Sequence, residues 1–196
     1  MTDPRLERWL SDLLAMPGLT AIRDRGEARA MLVEDALRGL DVVRAFDGPI
    51  VDVGSGGGSP GIPLAASLPD RDVTLLEANA RKAHFLERAA VGFSNVTVVR
   101  GRAEEQAPDV FGVALAKALA PPPVALEWAL PLVRPGGAAV LWLGPTADLG
   151  QLVRVAEQLG GGPPERQVGL VVVPKVGPTP EGFPRRPGVA RKRPLA

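Results

Sequence analysis

Apolar residues follow two different spacings along this chain, and the change falls near residue 49. Before it the spacing is helical. Asp3 and Pro4 suit an N-cap and a first helical position, and apolar residues then recur every three or four positions until Pro17-Gly18. A similar apolar stripe over residues 25–44 predicts a second helix. We therefore expect residues 1–45 to form a short helical N-terminal extension.

After residue 49, short aliphatic and β-branched runs alternate with segments of helical spacing. The predicted strands are PIVDV, DVTLLE, NVTVVR, FGVALA and GGAAVLWLG, followed by a last strand in QVGLVVVPKV. The predicted helices cover residues 79–91, 122–133 and 146–159. Such alternation is typical of an α/β fold with a mostly parallel sheet and helices on both faces. We expect this domain to span residues 46–182.

Composition excludes several classes of chemistry. The 196 residues, 45% of them hydrophobic, suffice for one domain with a short extension. The chain has no cysteine and a single histidine, His84, so disulfides and thiolate-bound metals are excluded and we expect no metal site. Charges interrupt the first 16 residues, and no later stretch reaches 18 uncharged apolar residues. We expect a soluble cytoplasmic protein that does not enter a membrane.

The segment VDVGSGGGSPGIPLA, residues 51–65, follows the first predicted strand. Its glycines allow a sharp turn and a close approach of backbone to a ligand, and a helix from about Pro60 would direct free N–H groups toward an anionic or polar group. The G-x-G-x-x-G spacing alone also fits an ordinary tight turn. Glu77, at the end of the next predicted strand, is placed to accept hydrogen bonds from ribose hydroxyls, although a solvated helix-terminal glutamate is the alternative. Together they favour a nucleotide-like ligand.

The identity of that ligand follows from which motifs the chain has. No G-K-[ST] follows the glycines, which argues against phosphoryl transfer. A nicotinamide-dependent dehydrogenase would need a substrate domain and a proton-transfer group that this chain lacks. The order D-x-G-x-G-x-G, Asp52 to Gly58, instead resembles motif I of S-adenosylmethionine-dependent methyltransferases. Enzymes that methylate exocyclic amines usually carry a polar acceptor and an aromatic after the fourth strand, where this chain reads Ala120-Pro121-Pro122-Pro123.

A more specific resemblance covers nearly the whole chain, from about Leu19 to Leu195. LTAIRD, VDVGSGGGSPGIPLA, GRAEE, AKALAPPPVALEWALPLVRPGG and RRPGVARKRPL, in that order, resemble the RsmG (GidB) family. Members of that family are bacterial guanine-N7 methyltransferases of 16S ribosomal RNA. The resemblance implies a class I, Rossmann-like methyltransferase fold, S-adenosylmethionine as cofactor, and 16S ribosomal RNA or the small ribosomal subunit as partner. We expect a monomer.

The resemblance also assigns site residues. It implies contacts to S-adenosylmethionine at Gly54, Ser59, Ala103, Glu104 and Lys117, in addition to Glu77. The family usually has arginine at position 117, and the lysine keeps the charge but loses the bidentate fork. Lys117 is the candidate for orienting the donor or the RNA, with a surface lysine as the alternative. No other catalytic residue is assigned, because guanine N7 carries a lone pair and no proton.

The last 14 residues, FPRRPGVARKRPLA, are basic although the net charge of the chain is only +1. We expect a basic arm or an edge strand over residues 183–196, whose cations contact RNA phosphates: Arg185, Arg186, Arg191, Lys192 and Arg193. A solubilising arm is the alternative. His84 is expected to be a packed or surface histidine without catalytic function, and the three tryptophans, Trp9, Trp128 and Trp142, are assigned to the core. A non-catalytic RNA-binding relative remains open, because the family's upstream Asn, His and Ser are missing.

Overall fold

The computed structural model describes residues 3–196, so the first two residues of the predicted N-terminal extension lie outside it. Helix α1, Pro4–Ala15, is capped by Asp3, whose side chain accepts from the Arg5 N–H. Its apolar face is buried, as the helical spacing predicts: Leu6, Trp9, Leu10 and Leu13. The Trp9 indole donates to the Gly57 carbonyl at 2.8 Å, so α1 lies against the loop after the first strand.

The helix predicted over residues 25–44 is broken into shorter pieces. They are α2 (Arg25–Arg29), a π-helical turn (Ala30–Glu34), α3 (Asp35–Leu37) and α4 (Leu40–Arg44). The break at Gly39 lies against Trp142, whose ring would be 2.6 Å from a Cβ at that position. The Trp142 indole also donates to the Asp35 carbonyl at 3.0 Å, taking an acceptor that a regular helix would use itself. The prediction of one continuous helix was wrong because this partner is distant in sequence.

Within residues 3–196, seven strands form one sheet in the order β3-β2-β1-β4-β5-β7-β6. Their bounds are β1 Ile50–Val53, β2 Val73–Glu77, β3 Val96–Arg100, β4 Phe111–Lys117, β5 Val133–Trp142, β6 Glu165–Gln167 and β7 Leu170–Pro174. The first five strands are parallel, and β7 joins β5 antiparallel. This confirms the predicted α/β class with a mostly parallel sheet. The order reverses between β1 and β4, where ligands of such sheets bind at the carboxyl ends of the strands.

Helices cover both faces of this sheet. They are α5 (Gly61–Ser67), α6 (Ala80–Ala90), α7 (Pro122–Ala129) and α8 (Leu149–Gln158). Neighbouring residues of β1 belong to opposite cores: Ile50 to one with Trp9 and Phe85, Val51 to one with Leu126. Because both faces are buried, the central strands need no polar alternation. Among residues 3–196, no helix combines the length and the apolarity that a bilayer crossing requires.

The last predicted strand, QVGLVVVPKV, is a hairpin instead. Strands β6 and β7 pair antiparallel around Val168 and Gly169, which have φ of 45° and 78°. Two central residues with positive φ match the turn that joins short antiparallel hairpins. Valine rarely adopts this conformation, so the residue type gave no signal for the turn.

The C-terminal segment, residues 183–196, is neither an edge strand nor a free arm. It contains a short helix, α9 (Val189–Lys192), with Ala190 1% exposed. Phe183 and Leu195 pack against the core that contains α7. The extended-strand and solubilising-arm interpretations were wrong because each end of the segment carries an apolar residue that packs, partly buried, against the domain.

Candidate active site

The loop between β1 and α5, residues 54–60, folds around the carboxyl end of β2. The N–H groups of Gly54 and Ser55 donate to the Leu76 carbonyl at 2.8 and 3.1 Å, and the Gly56 N–H donates to the Glu77 carboxylate at 2.9 Å. Gly54 has φ of 67°, and a Cβ there would overlap Leu119. Only glycine fits these two demands without strain. The loop therefore brings bare backbone to the edge of the sheet.

Asp52 fixes this loop from inside the protein. The side chain is 1% exposed, and its Oδ2 accepts from the Gly61 N–H at 3.1 Å. Burial raises the pKa of Asp52 to about 7, although the hydrogen bonds from Gly61 and Ser55 oppose the rise. The Ile62 N–H donates to the Gly58 carbonyl at 2.7 Å. The amino end of α5 is thus occupied by protein acceptors, and the prediction that it offers free N–H groups to a ligand was wrong.

Glu77 lies at the end of β2 and is 7% exposed. Its Oε2 accepts from Gly56 and its Oε1 from the Asn79 N–H at 2.7 Å. An ionised carboxylate has about four lone-pair sites, so two remain for further donors. The two backbone bonds fix the orientation of the carboxylate. Glu77 can therefore accept hydrogen bonds from a ligand without rearranging.

A cavity of about 260 Å³ opens at this edge, and we call it the cofactor cleft. Four of the six predicted cofactor residues line it: Gly54, Glu77, Ala103 and Glu104. Ala103 and Glu104 come from the 3-10 turn Ala103–Glu105, directly after β3. The sequence interpretation placed these residues at strand ends, and the parallel sheet gathers the ends of β1, β2 and β3 on one side.

The other two predicted cofactor residues lie outside the lining of this cleft. The Ser59 hydroxyl donates to the Leu32 carbonyl at 2.8 Å. Lys117 donates to the Met31 carbonyl at 2.6 Å and forms an ion pair with Asp35 at 2.7 Å. Both side chains thus hold the broken second helix against the sheet. The resemblance assigned them to the cofactor, whereas their partners here belong to the protein.

Lys117 lines a second cavity, of about 560 Å³, which we call the basic cavity. Its charged residues are Asp35, Arg38, Lys117 and Arg166, a sum of +2. Ala118, with φ of 51°, lines both cavities. Because they share Ala118, the two cavities adjoin at the end of β4. Left-handed backbone is strained for a residue other than glycine, and such strain is found most often at functional sites.

Trp128 and Arg191 line the cofactor cleft although the sequence analysis assigned both to other parts of the protein. Trp128 was assigned to the core and is indeed 9% exposed, but its indole nitrogen is buried without a hydrogen-bond partner among residues 3–196. Arg191 was assigned to RNA, yet α9 carries it to the cleft. No local pattern could reveal either contact, because both depend on how the C-terminal segment packs. His84 is exposed on α6, 3.4 Å from Glu87.

The family model described as GidB, rRNA small subunit methyltransferase G, matches residues 7–152 of this chain. This chain belongs to the GidB family. A relative of that name from Carboxydothermus hydrogenoformans is 40% identical over 166 residues, covering 74% of this chain and 70% of the relative. Another, from Chloroflexus aggregans, is 34% identical and covers 97% of this chain and 89% of the relative. These matches confirm the family that the sequence motifs predicted.

Solved methyltransferases share the fold. A Thermus thermophilus 16S rRNA N2 G1207 methyltransferase, RsmC, in complex with AdoMet and guanosine, superimposes with a TM-score of 0.54 at 18% identity, covering 76% of this chain and 40% of that one. A putative S-adenosyl-L-methionine-dependent methyltransferase from Methanococcus maripaludis gives 0.57 at 13% identity, covering 77% of this chain and 90% of that one. The class I methyltransferase fold predicted for this GidB member is confirmed.

The residues of the cofactor cleft fit S-adenosylmethionine. Gly54 leaves room where a side chain would meet Leu119, Glu77 keeps two unused lone pairs, and Leu119 supplies apolar surface. A hydroxyl acceptor beside apolar surface suits an adenosine.

Proposed function

We propose that this GidB family member transfers a methyl group from S-adenosylmethionine to N7 of a guanine in 16S ribosomal RNA. The observation that carries the proposal is the junction of the two cavities at Ala118, on the carboxyl side of the sheet where its strand order reverses. One cavity has the residues for a nucleoside cofactor. The other has a net positive lining, which suits a nucleotide of RNA. The methyl donor and the acceptor guanine would meet at this junction, beside Ala118.

The reaction makes few demands on side chains. When bound, the sulfonium cofactor supplies an electrophilic methyl carbon: the N7–carbon bond forms, the sulfur–carbon bond breaks, and the sulfur departs with the electron pair as a thioether. Guanine N7 loses no proton, so no general base is needed. The protein holds the two reactants in line, and such alignment is worth about 7–11 kcal/mol of barrier. A site without histidine is compatible with this chemistry.

On the cofactor side, Glu77 would receive the ribose hydroxyls and Gly54 would allow the backbone to approach. Ala103 and Glu104 follow β3, which is the neighbour of β2 on the side away from β1. We assign them to the adenine, which lies beyond the ribose in that direction. Ser59 and Lys117 would act indirectly, since their polar atoms contact the second helical region instead of the cleft.

On the acceptor side, the basic cavity carries two exposed guanidiniums. Arg38 is 3.2 Å from Asp35 and donates to the Gly169 carbonyl at 3.2 Å. Arg166 donates to the Ala147 carbonyl at 2.7 Å. Each guanidinium has further donors, and their planar geometry suits phosphate oxygens. We assign Arg38 and Arg166 to the phosphates that flank the target guanosine.

Among the exposed cations of the C-terminal segment, three do not line the cofactor cleft and remain candidates for additional RNA contacts: Arg186, Lys192 and Arg193. Arg185 is not among them. Its guanidinium binds the buried Glu127 carboxylate through two hydrogen bonds of 2.6 Å, which gives it a structural role in place of the predicted RNA contact. The logarithm of the RNA-binding constant falls linearly with the logarithm of the salt concentration, and we call the size of this slope the salt slope. Each lost phosphate contact would lower the salt slope by roughly 0.7 for single-stranded RNA.

The test uses methyl-labelled S-adenosylmethionine with small ribosomal subunits, and separately with naked 16S ribosomal RNA, from cells that lack this protein. The proposal predicts label on one guanine, which chemical cleavage at N7-methylguanine would locate. Label on an exocyclic amine would contradict the N7 assignment. Cofactor binding without transfer to either substrate would instead favour the non-catalytic RNA-binding relative.

A further inference from the structure

The C-terminal segment is attached to the domain by a buried ion pair. Glu127, on α7, is 3% exposed, and both of its carboxylate oxygens accept from Arg185 at 2.6 Å. The same guanidinium donates to the Arg193 carbonyl at 2.8 Å, which is the residue after α9. One arginine thus joins α7 to both ends of the segment that contains α9.

A second attachment reaches the cofactor cleft itself. The Gly188 N–H, at the beginning of α9, donates to Glu104 at 3.1 Å. Glu104 is one of the residues that line the cleft. Ala190, two residues further on, is 1% exposed. The helix is therefore fixed against the turn after β3 and against α7, with little freedom to move as an arm.

These attachments place Arg191 over Trp128. The guanidinium carbon lies 5.2 Å from the centre of the indole ring, within the range of a cation–π contact. Both residues line the cofactor cleft beside Ala103 and Glu104. Within residues 3–196, Arg191 has no carboxylate within ion-pair distance, unlike Arg185. Its donors and the open face of its plane are available to a ligand in the cleft.

We propose that Arg191 binds the adenine ring of the cofactor, and that the C-terminal segment forms one wall of the cofactor cleft instead of an RNA-binding arm. The proposal rests on the proposed function. With the ribose at Glu77 on β2, the base extends toward the end of β3, where Ala103, Glu104 and Arg191 meet. A guanidinium stacks on flat rings and also donates hydrogen bonds to ring nitrogens. Arg191, supported from behind by Trp128, provides both.

The test measures calorimetric dissociation constants for S-adenosylhomocysteine and for adenosine. Arg191→Ala is expected to weaken both by about tenfold, the size of a desolvated cation–π or stacking contact. Arg191→Lys is expected to lose nearly as much, because the charge stays while the plane is lost. The matched control is Arg154→Ala, an exposed arginine of α8 that does not line the cleft. It is expected to change either constant less than twofold.

Two further measurements distinguish a lost cofactor contact from unfolding and from a lost RNA contact. Thermal unfolding shows whether Arg191→Ala stays folded, and the salt dependence of RNA binding reports phosphate contacts. Unchanged nucleoside affinity in a folded Arg191→Ala protein would overturn the proposal, and a reduced salt slope would then identify an RNA contact. If the unsubstituted protein bound neither nucleoside, the assignment of the cofactor would fail instead.

Discussion

The cofactor cleft and the basic cavity share Ala118, yet they are assembled in opposite ways. Most of the residues that line the cleft lie at or just after the ends of β1, β2 and β3. Short sequence motifs therefore predict this part of the site. The basic cavity combines the broken second helix, the end of β4 and the β6–β7 hairpin, which are far apart along the chain. A cofactor common to many enzymes is recognised at strand ends, whereas the site for a particular RNA depends on additions around them.

The largest effect is expected from removing the ion pair that holds one wall of the cleft. Arg185→Ala leaves the buried Glu127 carboxylate without its partner and should lower the free energy of unfolding by about 3–5 kcal/mol. Denaturant unfolding measures this, with Arg154→Ala on α8 as an exposed control. A loss below about 1 kcal/mol would show that the C-terminal segment is not anchored through Glu127.

The free energy of unfolding should depend on pH through Asp52, which lies buried beneath the glycine loop. The pKa of Asp52 is about 7 in the folded state and is raised mainly by burial, whereas its ordinary value is 3.8. The folded state therefore holds the proton more tightly, so this group contributes stability below pH about 4 that is lost as the pH rises through about 7.

The variant Asp52→Asn keeps an acceptor for the Gly61 N–H and removes the titration. Unfolding free energies measured from pH 4 to pH 8 should fall less steeply in Asp52→Asn than in the parent protein. Identical slopes for the two proteins would contradict the burial-induced rise of the Asp52 pKa.

Substitution of Glu77 should weaken the binding of S-adenosylmethionine, whereas substitutions in the basic cavity should leave it unchanged. Glu77→Ala removes the acceptor of two backbone N–H groups and of the proposed ribose bonds, and hydrogen bonds to a charged group are worth about 1.5–3 kcal/mol. We expect the dissociation constant of S-adenosylmethionine to rise roughly 10- to 100-fold by calorimetry. The matched control is Glu87→Ala, an exposed glutamate of α6 that does not line the cleft. A change below threefold for Glu77→Ala would remove it from the site.

RNA affinity should show the reverse dependence. Arg38→Ala and Arg166→Ala should each weaken RNA binding by several-fold and lower the salt slope by roughly 0.7, while the affinity for S-adenosylmethionine stays the same. Arg134→Ala, at the amino end of β5 and so away from the carboxyl ends of the parallel strands, serves as the matched control. Equal RNA affinity for Arg38→Ala and Arg134→Ala would refute the assignment of the basic cavity.

The smallest effect concerns Lys117, which was predicted to touch the cofactor. Lys117→Ala should slow methyl transfer through a shifted second helix, because its partners are Asp35 and the Met31 carbonyl. Lys117→Arg should restore much of the rate. Unchanged turnover in Lys117→Ala would show that this ion pair has no part in the reaction.

The fold and half of the site were readable from sequence for physical reasons. Aliphatic strands, a glycine-rich turn after a strand and an acid at a strand end are features of short stretches of sequence, so Gly54 and Glu77 were predicted. The contacts that were missed are between residues remote in sequence. Trp142 breaks the second helix at Gly39, Val168 takes an unfavourable turn conformation, and Arg185 turns inward to Glu127.

The central claim is that a methyl donor in the cofactor cleft faces a guanine held at the basic cavity. Mapping the labelled base after incubation with small ribosomal subunits tests it most directly. We expect label at N7 of a single guanine, strongly reduced in a double variant of Arg38 and Arg166 that still binds S-adenosylmethionine. Label on another atom, or full transfer by that double variant, would contradict it.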